Sequence, residues 1–260
     1  MAEKTVKDHL LSHVDSPLQL LNPRVRILSA GLVSVATALV ENPFTAGLFL
    51  LFSMVLAGAS QIPVRDIWKR LSPVVWFLVM IWLFLPLTFG GESLYEWNFM
   101  GIPIELSRPG ILLSLNISLK SMAILLIFTC LIATLPIQAL GNGLEQLRVP
   151  GKLIFLLLMS YRYIYVIREE YERLMRAARF RGFRPGTNLH SYKTYAYLTG
   201  MLFVRASLRA KRVHQAMQCR GFTGRFHALD IYPSHWLNPC FLTLAAACGL
   251  GLSVLDLIWL

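Results

Sequence analysis

Long apolar runs alternate with short polar connections along this chain. The runs extend over about Arg26 to Val40, Phe44 to Ser60, Pro73 to Phe89, Pro109 to Leu135 and Leu237 to Leu260. A helix of roughly 20 apolar residues crosses the hydrocarbon core of a typical bilayer. The first two runs are shorter than this and are joined by Glu41-Asn42-Pro43, where proline suits a helix start. The pattern predicts an all-α integral membrane protein with about five transmembrane helices.

Two further segments are apolar on one side only and are interpreted differently. The run from Leu153 to Ile167 has only about 15 residues, contains Arg162 and has basic residues at both ends. If it crossed the membrane, the most basic part of the chain would lie outside the cell. We therefore expect this run and the segment from Lys193 to Arg212 to form long cytoplasmic or interfacial helices. The resulting prediction is an N-terminal transmembrane part (1–136), a cytoplasmic helix region (137–235) and a C-terminal transmembrane helix (236–260).

Composition and charge agree with a membrane protein and orient it. Hydrophobic residues make up 55% of the chain and charged residues 15%, with a net charge of +11. Residues 168–225 hold 13 of the 25 lysines and arginines, and the connection from Gly90 to Arg108 is acidic. Because basic connections stay on the cytoplasmic side, the N-terminus is predicted to be cytoplasmic. The first 24 residues lack the apolar core of a cleavable signal, so the first run should remain as an anchor.

A short internal repeat is the most informative motif. Residues 177–183 (Ala-Ala-Arg-Phe-Arg-Gly-Phe) recur 39 positions later as residues 216–222 (Ala-Met-Gln-Cys-Arg-Gly-Phe). Glycine in each copy suits a left-handed helix end, and arginine offers a planar fork of donors to a carboxylate. Ordinary helix caps would explain one copy. Two copies in matching register predict two docking tips, Arg181-Gly182-Phe183 and Arg220-Gly221-Phe222, each with an apolar phenylalanine anchor, for a partner with two equivalent sockets.

Motifs for catalysis are lacking in the sequence. It has no phosphate-binding P-loop, no His-Glu-x-x-His and no Gly-x-Ser-x-Gly, so we expect neither an enzyme nor a bound cofactor. The four cysteines show no metal-ligand spacing. His9 and His13, one helical turn apart, fit a polar amphipathic helix better than a metal site. Lys120 and Asp256 are charged residues within predicted spans, and we interpret Lys120 as forming a contact inside a complex.

With these motifs, the chain resembles the transmembrane T component of energy-coupling factor (ECF) importers, in the cobalt-type CbiQ branch. The resemblance rests on Arg181-Gly182 and Arg220-Gly221, and on Ser16-Pro17-Leu18 with Asn22-Pro23-Arg24-Val25 before the first span. The order of spans and cytoplasmic helices agrees as well. The family often has alanine before the Arg-Gly pair, whereas this chain has Phe180 and Cys219.

The resemblance implies a function and a set of partners. The two long helices would be coupling helices that dock through Arg181 and Arg220 on a dimer of CbiO-like ATPase subunits. Their apolar faces would cradle a substrate-binding membrane S component, which is CbiM-like and accompanied by a small CbiN-like subunit. ATP-driven motion of the ATPases would then reorient the S component. The resemblance further implies a multi-pass protein of the bacterial inner membrane, with cobalt, or alternatively nickel, as the substrate.

Two other function classes remain open from the residues alone. An integral membrane enzyme acting on lipid or prenyl substrates could hold a phosphate headgroup on the basic region. Such an enzyme would need clusters of acidic metal ligands, and acidic residues are sparse on the predicted cytoplasmic side. A membrane-anchored nucleic-acid binder using residues 168–225 would show steeply salt-dependent DNA binding. We favour the importer subunit and expect no nucleic-acid partner.

Overall fold

The computed structural model describes residues 21–88, 93–99, 102–222 and 237–259. These residues form eight helices and one antiparallel hairpin. The helices are α1 (Pro23–Leu39), α2 (Pro43–Ala59), α3 (Val64–Thr88), α4 (Arg108–Leu131), α5 (Ile137–Gln146), α6 (Gly151–Phe180), α7 (Leu189–Cys219) and α8 (Leu237–Trp259). The hairpin pairs β1 (Ser93–Phe99) with β2 (Ile102–Ser107), within the connection predicted to lie outside. The predicted all-α class is confirmed, with this hairpin as an addition.

Within the described ranges, three helices are long and apolar enough to cross a membrane: Val64–Thr88, Arg108–Leu131 and the part Asn238–Asp256 of α8. Helix α2 is a shorter apolar helix. Three of the five predicted spans therefore have spanning length, and crossing by α1 and α2 stays a prediction. Helix α3 begins nine residues before the predicted start, with Pro73 inside it. Asp66 in its first turn suits the positive end of the helix dipole, which favours the earlier start.

The chain divides into two compact units. The bundle unit consists of Met1–Gly143 with Asp230–Leu260, and the two-helix unit is Leu144–Leu229. The bundle unit thus joins the N-terminal helices and the C-terminal helix in one body. The predicted three-part division of the chain stays a prediction.

The core of the bundle unit is small and tightly packed. Helix α4 contacts α1, α2 and α3, and α8 packs on α1 and α2. Phe49 of α2 and Ile127 of α4 are fully buried, together with Val33 of α1. Alanines such as Ala30 and Ala245 let the helix backbones approach closely, as in other membrane helix interfaces.

Polar contacts at one end of the bundle join the start of α1 to α4 and α8. The amide of Asn22 donates to the side chain of Asn238 at 3.0 Å. Arg26 is buried, and its guanidinium donates to the Cys130 carbonyl at 3.3 Å and to the Thr134 hydroxyl. Since carbonyls at a helix C-terminus lack helical partners, Arg26 supplies donors to the end of α4. The starts of α1 and α8 and the end of α4 therefore lie at the same end.

Polar contacts at the other end surround the turn between α1 and α2. The carboxylate of Asp256 accepts from the amides of Glu41 and Asn42 at 2.9 and 3.1 Å, and from the Thr45 hydroxyl at 2.8 Å. The ammonium of Lys120 donates to the Ala38 carbonyl at 3.1 Å. Asp256 thus caps the start of α2, while Lys120 binds near the end of α1. The contact of Lys120 lies inside this chain.

These two sets of contacts define the course of the helices in the bundle unit. Helices α1 and α8 run parallel to each other, and α4 runs antiparallel to both. This alternation matches the predicted order, in which the starts of α1 and α8 lie on one side. Which side faces the cytoplasm stays a prediction.

Candidate functional site

Helices α6 and α7 form an antiparallel pair within the two-helix unit. They have 30 and 31 residues, which corresponds to about 45 Å each at 1.5 Å per residue. The ring of Phe155, near the start of α6, lies 5.4 Å from that of Phe222, just after α7. The ring of Phe183, just after α6, lies 5.6 Å from that of Tyr195, near the start of α7. The end of each helix therefore lies beside the start of the other.

The first Arg-Gly-Phe motif ends α6 in a tightly bonded tip. Helix α6 stops at Phe180, Arg181 is its C-terminal cap, and Gly182 has a φ of +86°. The amide of Gly182 donates to the carbonyl of Arg179 at 3.0 Å, and that of Phe183 to the carbonyl of Ala178 at 3.1 Å. This pair of bonds is a Schellman motif, which satisfies carbonyls that a helix end otherwise leaves open.

The second motif ends α7 with the same backbone geometry. Arg220 is the C-terminal cap and Gly221 has a φ of +77°. The amide of Gly221 donates to the Gln218 carbonyl at 3.0 Å, and that of Phe222 to the Met217 carbonyl at 3.1 Å. The prediction that both glycines end a helix in the left-handed conformation is confirmed. The repeat in sequence is therefore also a repeat in structure.

The structure keeps the two tips apart and exposes both arginines. Arg181 and Arg220 are exposed, as are Gly182 and Gly221. Because α6 and α7 are antiparallel, the tips lie at opposite ends of the pair, about one helix length from each other. A single small ligand cannot bridge them. The arrangement suits a partner that offers two separate and similar surfaces.

The phenylalanines of the motif pack within the chain. Phe183 is only 9% exposed and meets the Tyr195 ring edge-on. Phe222 is half-buried and packs against Phe155. These rings fasten each tip to the neighbouring helix, so we expect them to shape the tips rather than to enter a partner's pocket. Phe180 of the same motif, by contrast, is 91% exposed.

An ion-pair cluster joins the middles of the two helices. The carboxylate of Glu170 accepts a hydrogen bond from Arg205 and lies 3.9 Å from the guanidinium of Arg209. The side chain of Glu170 is only 14% exposed. The hydrogen bond from Arg205 lowers the pKa of the Glu170 carboxyl, so Glu170 is charged at neutral pH. Glu170 was not singled out from the sequence, where residues 168–225 offer many arginines as partners.

An apolar cavity of about 440 Å³ lies beside this cluster, between α6 and α7. Met159 and Tyr163 of α6 and Leu202 and Met217 of α7 are among its lining residues, with Glu170 at its polar margin. A cavity between two helices leaves them room to shift against each other. Methionine side chains adapt to such changes because they are flexible and unbranched.

Clusters of side chains suited to metal binding are absent from the described residues. Among residues 21–88, 93–99, 102–222 and 237–259, no three His, Cys, Asp or Glu side chains lie close enough together to hold a metal ion. His9 and His13 lie outside the described residues. The arrangement of the two-helix unit fits contact with another protein.

Replacing Gly182 by valine is expected to open the first tip. Space is available for the side chain, since nothing lies within 4 Å of the position that a Cβ atom would take at Gly182. The cost is conformational: a left-handed backbone costs a residue with a Cβ roughly 1–2 kcal/mol. Hydrogen exchange of the Phe183 amide should accelerate by about tenfold in the variant. Gly200→Val, in the interior of α7 and with equally open space, is the matched control and should leave that amide unchanged.

Comparison with known proteins identifies similar chains over most of the length. The model of a family described as CbiQ, cobalt transport protein, matches residues 15–228. The energy-coupling factor transporter transmembrane protein EcfT of Acidaminococcus fermentans is 26% identical over 221 residues, 81% of each chain. The protein of the same name from Bacillus subtilis is 28% identical, over 78% of this chain and 80% of its own. That of Staphylococcus aureus is 29% identical, over 80% and 81%.

Proposed function

Because the chain belongs to the CbiQ family of cobalt transport proteins, we propose that it transmits motion from an ATPase dimer to a substrate-binding membrane subunit. Members of this family are membrane components of transporters, so the chain is not an enzyme. It is a T component of a transporter of the energy-coupling factor type. We further propose its partner, an ATPase dimer, its substrate, and the way in which it transmits force.

The observation that carries the proposal is the repeated tip at opposite ends of an antiparallel helix pair. Two antiparallel helices with the same cap at each C-terminus are related by an approximate two-fold axis between them. A dimer of ATPase subunits also has a two-fold axis and presents each of its surfaces twice. One tip can therefore contact each subunit in an equivalent manner.

The chemistry of the tips defines the surface that they bind. Arg181 and Arg220 each extend a guanidinium from a rigid, capped helix end. A guanidinium forms two parallel hydrogen bonds with a carboxylate, which gives a strong and directional contact. We therefore expect each ATPase subunit to present a carboxylate to its tip.

The middle of the helix pair is suited to transmit movement of the tips. Helices of about 45 Å are stiff rods, and Glu170 ties α6 to Arg205 and Arg209 of α7 near their centres. If ATP changes the distance between the two ATPase subunits, the tips move and the rods turn about this cluster. The cavity beside it gives the rods room to turn. The exposed apolar faces of both helices are then available to the substrate-binding subunit.

The family description supports cobalt as the substrate, and nickel is the closest alternative in its chemistry. In the proposed complex, a CbiM-like S component with a small CbiN-like subunit binds the metal ion, and CbiO-like ATPases hydrolyse ATP. The chain lies in the bacterial inner membrane with its N-terminus and both tips on the cytoplasmic side. Positively charged connections favour that side, and residues 168–225 carry most of the net charge.

Purification from native membranes tests this function. An affinity-tagged chain, extracted in mild detergent, is expected to bring down two copies of a P-loop ATPase together with a CbiM-like S component and its small CbiN-like subunit. Cells that contain the intact complex should accumulate radioactive cobalt in an ATP-dependent manner, and deletion of this chain should remove that uptake. Isolation of the chain without an ATPase, or unchanged uptake after deletion, contradicts the proposal.

A further inference from the structure

We propose that the first tip binds its ATPase subunit through a second, apolar contact, in which Phe180 enters a pocket rimmed by carboxylates. This inference rests on the proposed function and adds to it. It concerns the side chain of Phe180. The second tip forms the same backbone bonds without a phenylalanine at the equivalent position. It also makes the two tips unequal in strength.

The exposure of Phe180 motivates the inference. Phe180 is the last residue of α6 and is 91% exposed, the highest value among the large hydrophobic side chains of the described residues. Burying an aromatic ring of this size is among the largest contributions that one side chain makes to a protein interface. The ring stands directly before Arg181, on the segment that the Schellman bonds hold rigid. A rigid aromatic ring loses little entropy when it enters a pocket.

The other phenylalanine of this tip has a different task. Phe183 is buried against Tyr195 and holds the tip to α7. Among the described residues Phe180 serves no such packing purpose, since it is 91% exposed. The tip therefore has one aromatic residue for its own structure and one that is available to bind a partner.

Charge around Phe180 indicates what kind of pocket it fits. Arg179, Arg181 and Arg184 are exposed next to it, and the nearest acidic residue in the sequence is Glu172. A strongly basic rim around an exposed aromatic ring is complementary to an apolar pocket with an acidic rim. A second copy of this chain would be a poor partner, because its equally basic tip would repel this one.

The second tip differs at the equivalent position. Cys219 stands before Arg220 where Phe180 stands before Arg181, and the two backbones form the same hydrogen bonds. Cysteine offers a small surface, so the second tip depends mainly on its arginine. The first tip should consequently contribute more to the affinity than the second.

Single substitutions in the full-length chain test this inequality. The chain is purified in detergent or nanodiscs, and its affinity for the ATPase that co-purifies with it is measured by biolayer interferometry. Phe180→Ala should weaken binding by about 30-fold, which is typical of a buried aromatic anchor. Cys219→Ala should change it by less than about threefold, and Phe180→Leu should keep most of the affinity because it preserves an apolar side chain.

The control is Phe203→Ala, which removes a phenylalanine that is 74% exposed on the shaft of α7. It should leave the affinity unchanged. If Phe180→Ala binds within about twofold of the unmodified chain while Arg181→Glu does not bind, the inference is overturned and the proposed function stands. If the unmodified chain binds no ATPase, the proposed function fails and the inference fails with it.

Discussion

Reversing the charge at both tips, with Arg181→Glu and Arg220→Glu in one chain, is expected to abolish ATPase association and metal uptake. Both guanidiniums are exposed in the free chain, so the substitutions remove no internal contact that the structure shows. In the complex each new carboxylate would face an acidic surface. Disrupting one hydrogen-bonded charge pair costs about 2–5 kcal/mol. Two such losses should weaken association roughly a thousandfold or more.

The measurement is co-purification of the ATPase, combined with radioactive cobalt uptake by whole cells. Membrane insertion and thermal stability of the double variant should equal those of the unmodified chain. The matched control is Arg162→Glu with Arg212→Glu, which makes the same change in net charge on the shafts of α6 and α7. If the control also loses uptake, the effect comes from the change in net charge and not from the tips. Normal uptake by the tip variant would count against docking through the tips.

Replacing Asp256 by alanine is expected to destabilise the bundle unit more than any surface change in it. The carboxylate is 5% exposed and accepts three hydrogen bonds, from the amides of Glu41 and Asn42 and from the Thr45 hydroxyl. Each buried donor left without a partner costs about 1–3 kcal/mol. We expect a loss of about 3 kcal/mol in the free energy of unfolding. The midpoint of thermal unfolding should fall by roughly 6–12 °C in a chain of this size.

Thermal unfolding in detergent, followed by circular dichroism, provides the measurement. Asp256→Asn keeps one acceptor oxygen in place, so its loss of stability should be less than half of the loss caused by Asp256→Ala. Ser253→Ala, one turn earlier on α8, should have no effect beyond about 0.5 kcal/mol. The expected fall in the midpoint is roughly 6–12 °C. If the midpoint of Asp256→Ala instead lies within about 2 °C of that of the unmodified chain, the turn between α1 and α2 needs no cap.

Local chemistry made the tips predictable from sequence. Glycine at the end of a helix favours the left-handed conformation that ends it. The structure places Gly182 and Gly221 at such ends with positive φ. The start of α3 was less predictable. Proline is common at a helix start, so Pro73 suggested that the helix begins there. The residues before it include Arg65 and Lys69, which are typical of a polar connection. A proline within the helix removes one backbone hydrogen bond, and the contacts of the longer helix offset that loss.

Contacts between distant residues were beyond the reach of sequence patterns. Glu170 and Arg205 are 35 positions apart, and Asp256 meets the amide of Glu41 across 215 positions. Many arginines near Glu170 were equally good partners by composition. The different roles of Phe180 and Phe183 depend on which side of α6 faces α7, and both phenylalanines belong to the same motif. The two copies of the repeat differ at the position before the arginine, which is Phe180 in the first and Cys219 in the second. This difference indicated that the residue at that position is not needed for the cap.

Site-specific photocrosslinking from the tips tests the central claim most directly. A photoreactive phenylalanine derivative is placed at position 180, at position 219, or at position 203 on the shaft of α7, so that both arginines are kept, and the intact complex is irradiated in native membranes. The account predicts that positions 180 and 219 each crosslink to a P-loop ATPase, that a chain labelled at both captures two ATPase copies, and that position 203 captures none. Crosslinks from the tips to no ATPase, or to proteins on the outer side of the membrane, would contradict it.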